Sequence, residues 1–188
     1  DKERYEHKYE YCDLLVTGSG PSGLASAYAA AKNGARVILA EDKPRFGGSL
    51  LTSEANIGNQ SGKEWADKII AELKEMSNVI LKNRAQVFGY YDHNMLVMSE
   101  RINDHLPKSK KYSPKQRLWY IRAKEVVISS GSIERPLVFG NNDTPGVVLS
   151  SAAKEYLKSL VMKPDQLVYI KCGEFDKYGR LLGTLYIK

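Results

Sequence analysis

Residues 12–42 constrain the chain more than any other stretch, because strand, glycine turn, helix, second strand and acid follow in unbroken order. Cys12-Asp13-Leu14-Leu15-Val16-Thr17 is short and mostly apolar, the pattern of a strand buried on both faces. Gly18-Ser19-Gly20-Pro21-Ser22-Gly23 follows at once and matches G-x-G-x-x-G. Leu24 to Lys32 is alanine-rich and closes at Asn33-Gly34, a good helix stop. Arg36 to Ala40 is a second apolar strand, and it ends in Glu41-Asp42. This order predicts an α/β fold with a Rossmann-like parallel sheet.

Each part has a physical task. Gly18 permits the tight turn out of the strand, and Gly20 lets a pyrophosphate approach the backbone with no Cβ in the way. Gly23 lets the helix pack closely on the strand. Pro21 suits the first helical turn, where its missing N–H costs nothing. The helix amino terminus then offers free N–H groups and partial positive charge to a phosphate. Glu41, at the end of the second strand, can accept hydrogen bonds from adenosine ribose hydroxyls. An acid there also repels a 2′-phosphate, which favours NAD or FAD over NADP.

The remaining pattern extends this half-domain. Ser61-Gly62-Lys63-Glu64 is a capping box, and Trp65, Ile69, Leu73 and Met76 mark one apolar helical face. Asn78 to Leu81 reads as a further parallel strand. Ala85 to Tyr91, Met95 to Glu100 and Gln116 to Arg122 are strand-like and predict an inserted antiparallel β-meander. Lys124 to Gly131 reads as a separate final strand whose small end, Gly131 included, lets a nucleotide come near. Ser151 to Val161 is expected to be helical. The expected organisation is a charged segment at 1–10, a dinucleotide-binding domain at 11–164 with its meander at 85–122, and a divergent β segment at 165–188.

Composition narrows the partners. With 188 residues, 43% hydrophobic and 27% charged, the chain suits one globular domain rather than a disordered one. Its net charge of +6 gathers in Lys108, Lys110, Lys111, Lys115 and Arg117, which read as a solvated loop. No RNA-binding aromatic motif accompanies them, so no nucleic-acid partner is expected. No apolar run approaches the ~20 residues of a membrane helix. Two cysteines, Cys12 and Cys172, cannot build a disulfide framework, a CxxC pair or a four-cysteine zinc site, which points to a reducing cytoplasm. The charged start is no signal peptide, and without a Met it reads as the start of a portion of a longer protein.

Four stretches carry a family resemblance: GSGPSGLASAYAAAKNGARVILAEDKPRFGGSLL from Gly18 to Leu51, FGYYDHN from Phe88 to Asn94, RLWYIRAKEVVISSGSIERPLVF from Arg117 to Phe139, and GNNDTPGVVLSSA from Gly140 to Ala152. Together they resemble the two-dinucleotide-binding flavoproteins and, more closely, the alpha subunits of heterotetrameric sarcosine oxidases over residues 8–164. Alpha-type subunits of cyanide-forming, opine and proline dehydrogenases share part of the pattern. The resemblance implies an NAD site contacted by Ser22, Glu41, Asp42, Lys43, Ser49 and Val87. Ser22 and Ser49 would donate to phosphate oxygens, and Val87 would pack on the adenine. It also implies beta, gamma and delta partner subunits, amine oxidation at FAD in the beta subunit, an FMN near the alpha–beta interface, and a tetrahydrofolate-linked region beyond this stretch. FAD is the alternative ligand here, since the glycine loop and Glu41 would serve its adenosine equally well.

No residue is expected to be catalytic and none to bind a metal. His93 and His105 lack a partner at helix spacing or a nucleophile motif and read as structural. Glu134-Arg135-Pro136 reads as a buried ion-pair turn shaping the cofactor edge. Phe175 to Lys188 is similar to a hairpin of thermonuclease-like domains, in which the Arg matching Arg180 stabilises phosphate. That family's calcium-binding carboxylates have no counterpart, so the tail reads as a divergent terminus rather than a nuclease.

Overall fold

The computed structural model describes residues 4–106, 113–145, 147–153, 168–175 and 181–187. In chain order its elements are β1 (Tyr5–Thr17), α1 (Pro21–Lys32), β2 (Val37–Ala40), a 3-10 turn at Gly48–Leu51, β3 (Asn56–Ile57), β4 (Gln60–Ser61), α2 (Gly62–Glu75), β5 (Val79–Lys82), β6 (Ala85–Tyr91), a 3-10 turn at Asp92–Asn94, β7 (Met95–Arg101), β8 (Gln116–Ile128), β9 (Val168–Phe175) and β10 (Leu181–Ile187). They fall into two units, Asp1–Gly131 and Ser132–Lys188.

The first unit holds a six-stranded sheet in the order β5-β2-β1-β8-β7-β6. β5, β2, β1 and β8 run parallel, while β6, β7 and β8 pair antiparallel. The parallel half is as expected. α1 starts at Pro21 with Gly20 as its N-cap and ends at Asn33, after which Gly34 takes φ +83°. α2 carries the capping box: Ser61 Oγ accepts from the Glu64 N–H, and the Glu64 carboxylate accepts from the Ser61 N–H. Of its expected apolar face, Ile69 and Leu73 are buried and Trp65 and Met76 partly so.

Two expectations about strand boundaries are corrected. β1 begins at Tyr5, well inside the charged segment, and pairs with β8 from Tyr5↔Gln116 to Thr17↔Ile128. The third meander strand and the final parallel strand are one uninterrupted strand, β8. Within it Lys124 Nζ lies 2.7 Å from the Asp13 carboxylate on the neighbouring strand. That ion pair holds the Asp13 carboxyl below the usual carboxylate range, helped by the Arg36 N–H.

The long strands serve two cores. Val16, Val37 and Leu39 pack with Leu24 and Ala27 of α1 and with Ile69 and Leu73 of α2. Leu15, Ile38 and Ala40 pack with Ala85, Leu96, Met98, Trp119 and Ile121, so the meander covers the sheet surface that the helices leave bare. Within this second core Trp119 donates to Glu100 at 2.7 Å, and Lys82 and Arg117 approach the same carboxylate at 2.9 and 3.3 Å. A buried charge needs such partners.

In the second unit, residues 150–153 are helical, and the expected helix beyond them lies outside the described residues. β9 and β10 form an antiparallel hairpin with a register shift between Leu181 and Gly183. Arg180 lies outside the described residues, as do Lys108, Lys110 and Lys111. The expected buried ion pair at Glu134 is corrected: Glu134 and Arg135 are exposed, and the Glu134 carboxylate accepts from Ser150 Oγ at 2.6 Å and from the Ser151 N–H at 3.0 Å. These bonds lower the Glu134 pKa to about 2. Among the described residues no helix is long and apolar enough to cross a membrane.

Candidate functional site

The glycine loop turns out of β1 at the carboxyl end of the parallel strands. There β2 departs to one side and β8 to the other, which is the switch point of this sheet order. Gly18 has φ +94°, and a Cβ on it would sit 2.4 Å from the Ser129 carbonyl oxygen. A Cβ on Gly23 would meet the Gly18 carbonyl oxygen at 1.9 Å. These two glycines are therefore required by the fold itself. Gly20 differs: a Cβ there would have nothing within 4 Å, so the space above it is open. That open space lies at the amino terminus of α1, where unpaired N–H groups favour an anion. Ser22, in the first turn of α1, is exposed.

A second loop closes over the first. Gly47 N–H reaches the Ser19 carbonyl at 3.1 Å and Ser19 Oγ at 3.0 Å. Gly48, at φ +52°, lies so close that a Cβ would stand 2.8 Å from the Gly20 Cα. Ser49 follows in the 3-10 turn and is exposed. From the other side Ser129 Oγ shares its one proton between the carbonyls of Thr17 (2.8 Å) and Gly18 (3.0 Å). Gly131, two residues on, has φ +67°. The structure thus brings Gly18, Gly20, Gly23, Gly47, Gly48 and Ser129 together at one turn, with Ser22, Ser49 and Gly131 one or two residues further along the chain.

Glu41 is 5% exposed and already bonded within the chain. Its Oε2 accepts from the Ser19 N–H at 2.9 Å and from Ser19 Oγ at 2.5 Å, while Oε1 accepts from the Lys43 N–H at 2.9 Å. Its backbone joins β5 and β6, donating to Lys82 O and accepting from Ala85 N–H, both at 2.8 Å. Val87 is two residues further along β6 and partly buried against the meander core. Asp42 and Lys43 are exposed and pair with each other at 3.3 Å. Partial desolvation works against ionising Asp42, but Glu41, Lys43 and Arg101 outweigh it and its pKa lies below the ordinary range.

Ser19 was not among the expected site residues. It occupies a variable position of the motif, where spacing alone gives no signal. Its importance shows only once β2 places Glu41 beside it. The histidines stay apart from the loop: His93 sits at φ +58° in the turn between β6 and β7, and His105 Nδ1 lies 3.6 Å from Asp104. Among the described residues no cluster of His, Cys, Asp or Glu could hold a metal. An open cavity of about 490 Å³ lined by Pro44, Arg45, Phe46, Asp67 and Ile70, among others, includes none of the expected site residues.

Comparison with known proteins places this arrangement. The chain is similar to the sarcosine oxidase subunit alpha of Rhizobium meliloti (strain 1021), 41% identical over 164 residues, which span 87% of this chain and 17% of the relative. It is also similar to that of Corynebacterium sp. (strain U-96), 39% identical over 160 residues, 84% of this chain and 16% of the relative. The chain therefore spans about one sixth of the length of these curated relatives. Among solved structures, L-proline dehydrogenase from P. horikoshii superposes with a TM-score of 0.64 at 22% identity, over 82% of this chain and 30% of that one, and so shares the fold. The model of the FAD dependent oxidoreductase family matches residues 13–108, just over half the chain and the stretch from β1 to the end of the meander's second strand. On its glycine loop, its sheet and this match, the chain belongs to the FAD dependent oxidoreductase family.

Proposed function

We propose that this chain is the NAD-binding portion of a sarcosine oxidase alpha-type subunit, and that Gly18, Gly20, Ser22, Gly23, Glu41, Ser49 and Gly131 form the site. The observation that carries this reading is the open approach at Gly20 beside the α1 amino terminus, with Glu41 22 residues past Ser19 held next to it. The pyrophosphate would lie over Gly20 between the α1 terminus and Ser49, and the ribose would face Glu41. Asp42, Lys43 and Val87 would border the adenosine. The bound dinucleotide supplies redox capacity; the residues of this chain bind and orient it and keep its phosphates on backbone N–H groups.

In this reading the chain works within an assembly with beta, gamma and delta subunits. The assembly oxidatively demethylates sarcosine to glycine in the cytoplasm with FAD, FMN and tetrahydrofolate, and the C–N oxidation takes place in a partner subunit. The family match favours a second reading, in which the same site holds FAD. The nucleotide released on denaturing the purified protein separates the two. NAD supports the first, a yellow flavin the second, and the release of neither overturns both. Gly20→Val is expected to remove binding of whichever nucleotide is found while leaving the melting temperature nearly unchanged, because no atom stands within 4 Å of the new Cβ. Unchanged affinity in calorimetry would move the site elsewhere.

A further inference from the structure

Glu41 is held by one neighbour more than by any other. We infer that Ser19 is the positioning residue that makes Glu41 able to read the ribose hydroxyls. The inference rests on the dinucleotide reading above and deepens it.

Ser19 is fully buried, at 0% exposure, yet carries a hydroxyl that packing alone would not require. Its Oγ donates its one proton to Glu41 Oε2 at 2.5 Å and accepts from the Gly47 N–H at 3.0 Å. Its own N–H also donates to Glu41 Oε2, at 2.9 Å, and its carbonyl accepts from Gly47 at 3.1 Å. One side chain and its peptide groups therefore join three segments that lie 22 and 28 residues apart in sequence. A glutamate side chain has three rotatable bonds and gains from a ribose only if its carboxylate is already in place. Two donors from Ser19 on Oε2 and one from Lys43 on Oε1 remove that freedom beforehand. Gly47 stays tied to the loop without that hydroxyl, because its N–H also bonds the Ser19 carbonyl at 3.1 Å. An alanine at position 19 would keep the N–H bond and lose both bonds of the hydroxyl.

The test pairs a deletion in the protein with a deletion in the ligand, which isolates coupling from general damage. Binding of ADP and of 2′,3′-dideoxy-ADP is measured by calorimetry on the unmodified chain and on Ser19→Ala. Ser19→Cys runs alongside because it keeps the shape but replaces a strong donor with a weak one. The expected result is that Ser19→Ala weakens ADP about tenfold, the scale of a hydrogen bond to a charged group. Its affinity for the dideoxy ligand stays within about twofold of the unmodified chain's, and Ser19→Cys shows the same pattern. Equal weakening of both ligands would reduce Ser19 to a structural residue and overturn the inference. So would an unmodified chain that binds ADP and the dideoxy ligand alike, although the dinucleotide reading would survive that result. If the unmodified chain binds neither ligand, the dinucleotide reading itself fails.

Discussion

The two halves of β1 lie on one strand beside one partner and live under different rules. From Leu14 to Thr17 the strand is flanked by β2 and β8 together and packs against both cores. From Tyr5 to Tyr11 it pairs with β8 alone, and Tyr5, Tyr9 and Tyr11 are 58, 75 and 64% exposed. In the inner half the backbone decides, and its glycine loop leaves no room for a methyl group at Gly18 or Gly23. In the outer half side chains decide. Tyr9 and His7 stack on Tyr120 with centroids 5.1 and 5.8 Å apart, Arg36 sits 4.2 Å over Tyr11, and Lys8 sits 4.4 Å over the buried Trp119. A strand can thus be rigid where it shapes a site and tolerant where it only extends the sheet.

The sharpest challenge to that contrast lies beneath the outer half. Glu100 serves Trp119, Lys82 and Arg117 at once, and Arg117 also reaches Glu6 of β1 at 2.9 Å. Glu100→Ala leaves the buried Trp119 indole N–H unpaired and takes the carboxylate from two half-buried cations, and a loss of about 3 kcal/mol is expected in urea unfolding. A loss under about 1 kcal/mol, the scale of a surface pair, would show the cluster to be solvated. Gly23→Ala should cost about 3 kcal/mol by overpacking, since its Cβ would lie 1.9 Å from the Gly18 carbonyl oxygen. Gly20→Ala is its control, and equal melting curves for the two variants would erase the distinction between the packed glycine and the open one.

Cys12 marks the join between the halves. Burial, with Asp13 and Glu10 adding to it and Arg36 opposing, raises its thiol from 9.0 to about 12. The folded thiol therefore resists ionising where the unfolded one does not. This contribution to stability is complete below pH 9 and is lost as pH rises toward about 12. In a Cys172→Ser background, alkylation of the native chain at pH 8 should be far slower than that of the unfolded chain, and equal rates would place Cys12 at the surface. The smallest effect is expected at the outer edge: Tyr9→Ser removes one exposed stack and should cost about 0.5–1 kcal/mol in the same unfolding assay. A cost as large as that of Gly23→Ala would make the outer half as demanding as the inner.

The inner half was legible in the sequence because its signals are local. Glycine spacing, the alanine-rich helix and the acid at the end of β2 each act within a few residues of where they stand. The outer half was missed although its sign was present: Tyr5, His7, Tyr9 and Tyr11 alternate with Glu6, Lys8 and Glu10, a period of two that charge content concealed. β8 reads as two strands because its first part pairs in the meander and its second in the parallel sheet, and only the structure shows one strand serving both. Ser19 was hidden for a related reason: its partners, Glu41 and Gly47, come from segments distant in sequence. Glu134 was read as buried because proline and paired charges suggest a tight turn, whereas its partners are the amides and hydroxyl of a helix start.

The continuity of β8 sets how such a domain can be recombined. Residues 85–122 do not form a cassette that can be lifted out between two loops, because their far end is the first seven residues of a thirteen-residue strand. A graft cut at Arg122 would sever the ladder beside the Asp13–Lys124 pair and leave Tyr5 to Tyr11 with no neighbour. Any exchange between relatives must carry the start of β1 together with β6, β7 and β8, joining pieces from both sides of the glycine loop. The glycine turn and the meander therefore form one folding block, and a chimera that respects this block is the one expected to fold.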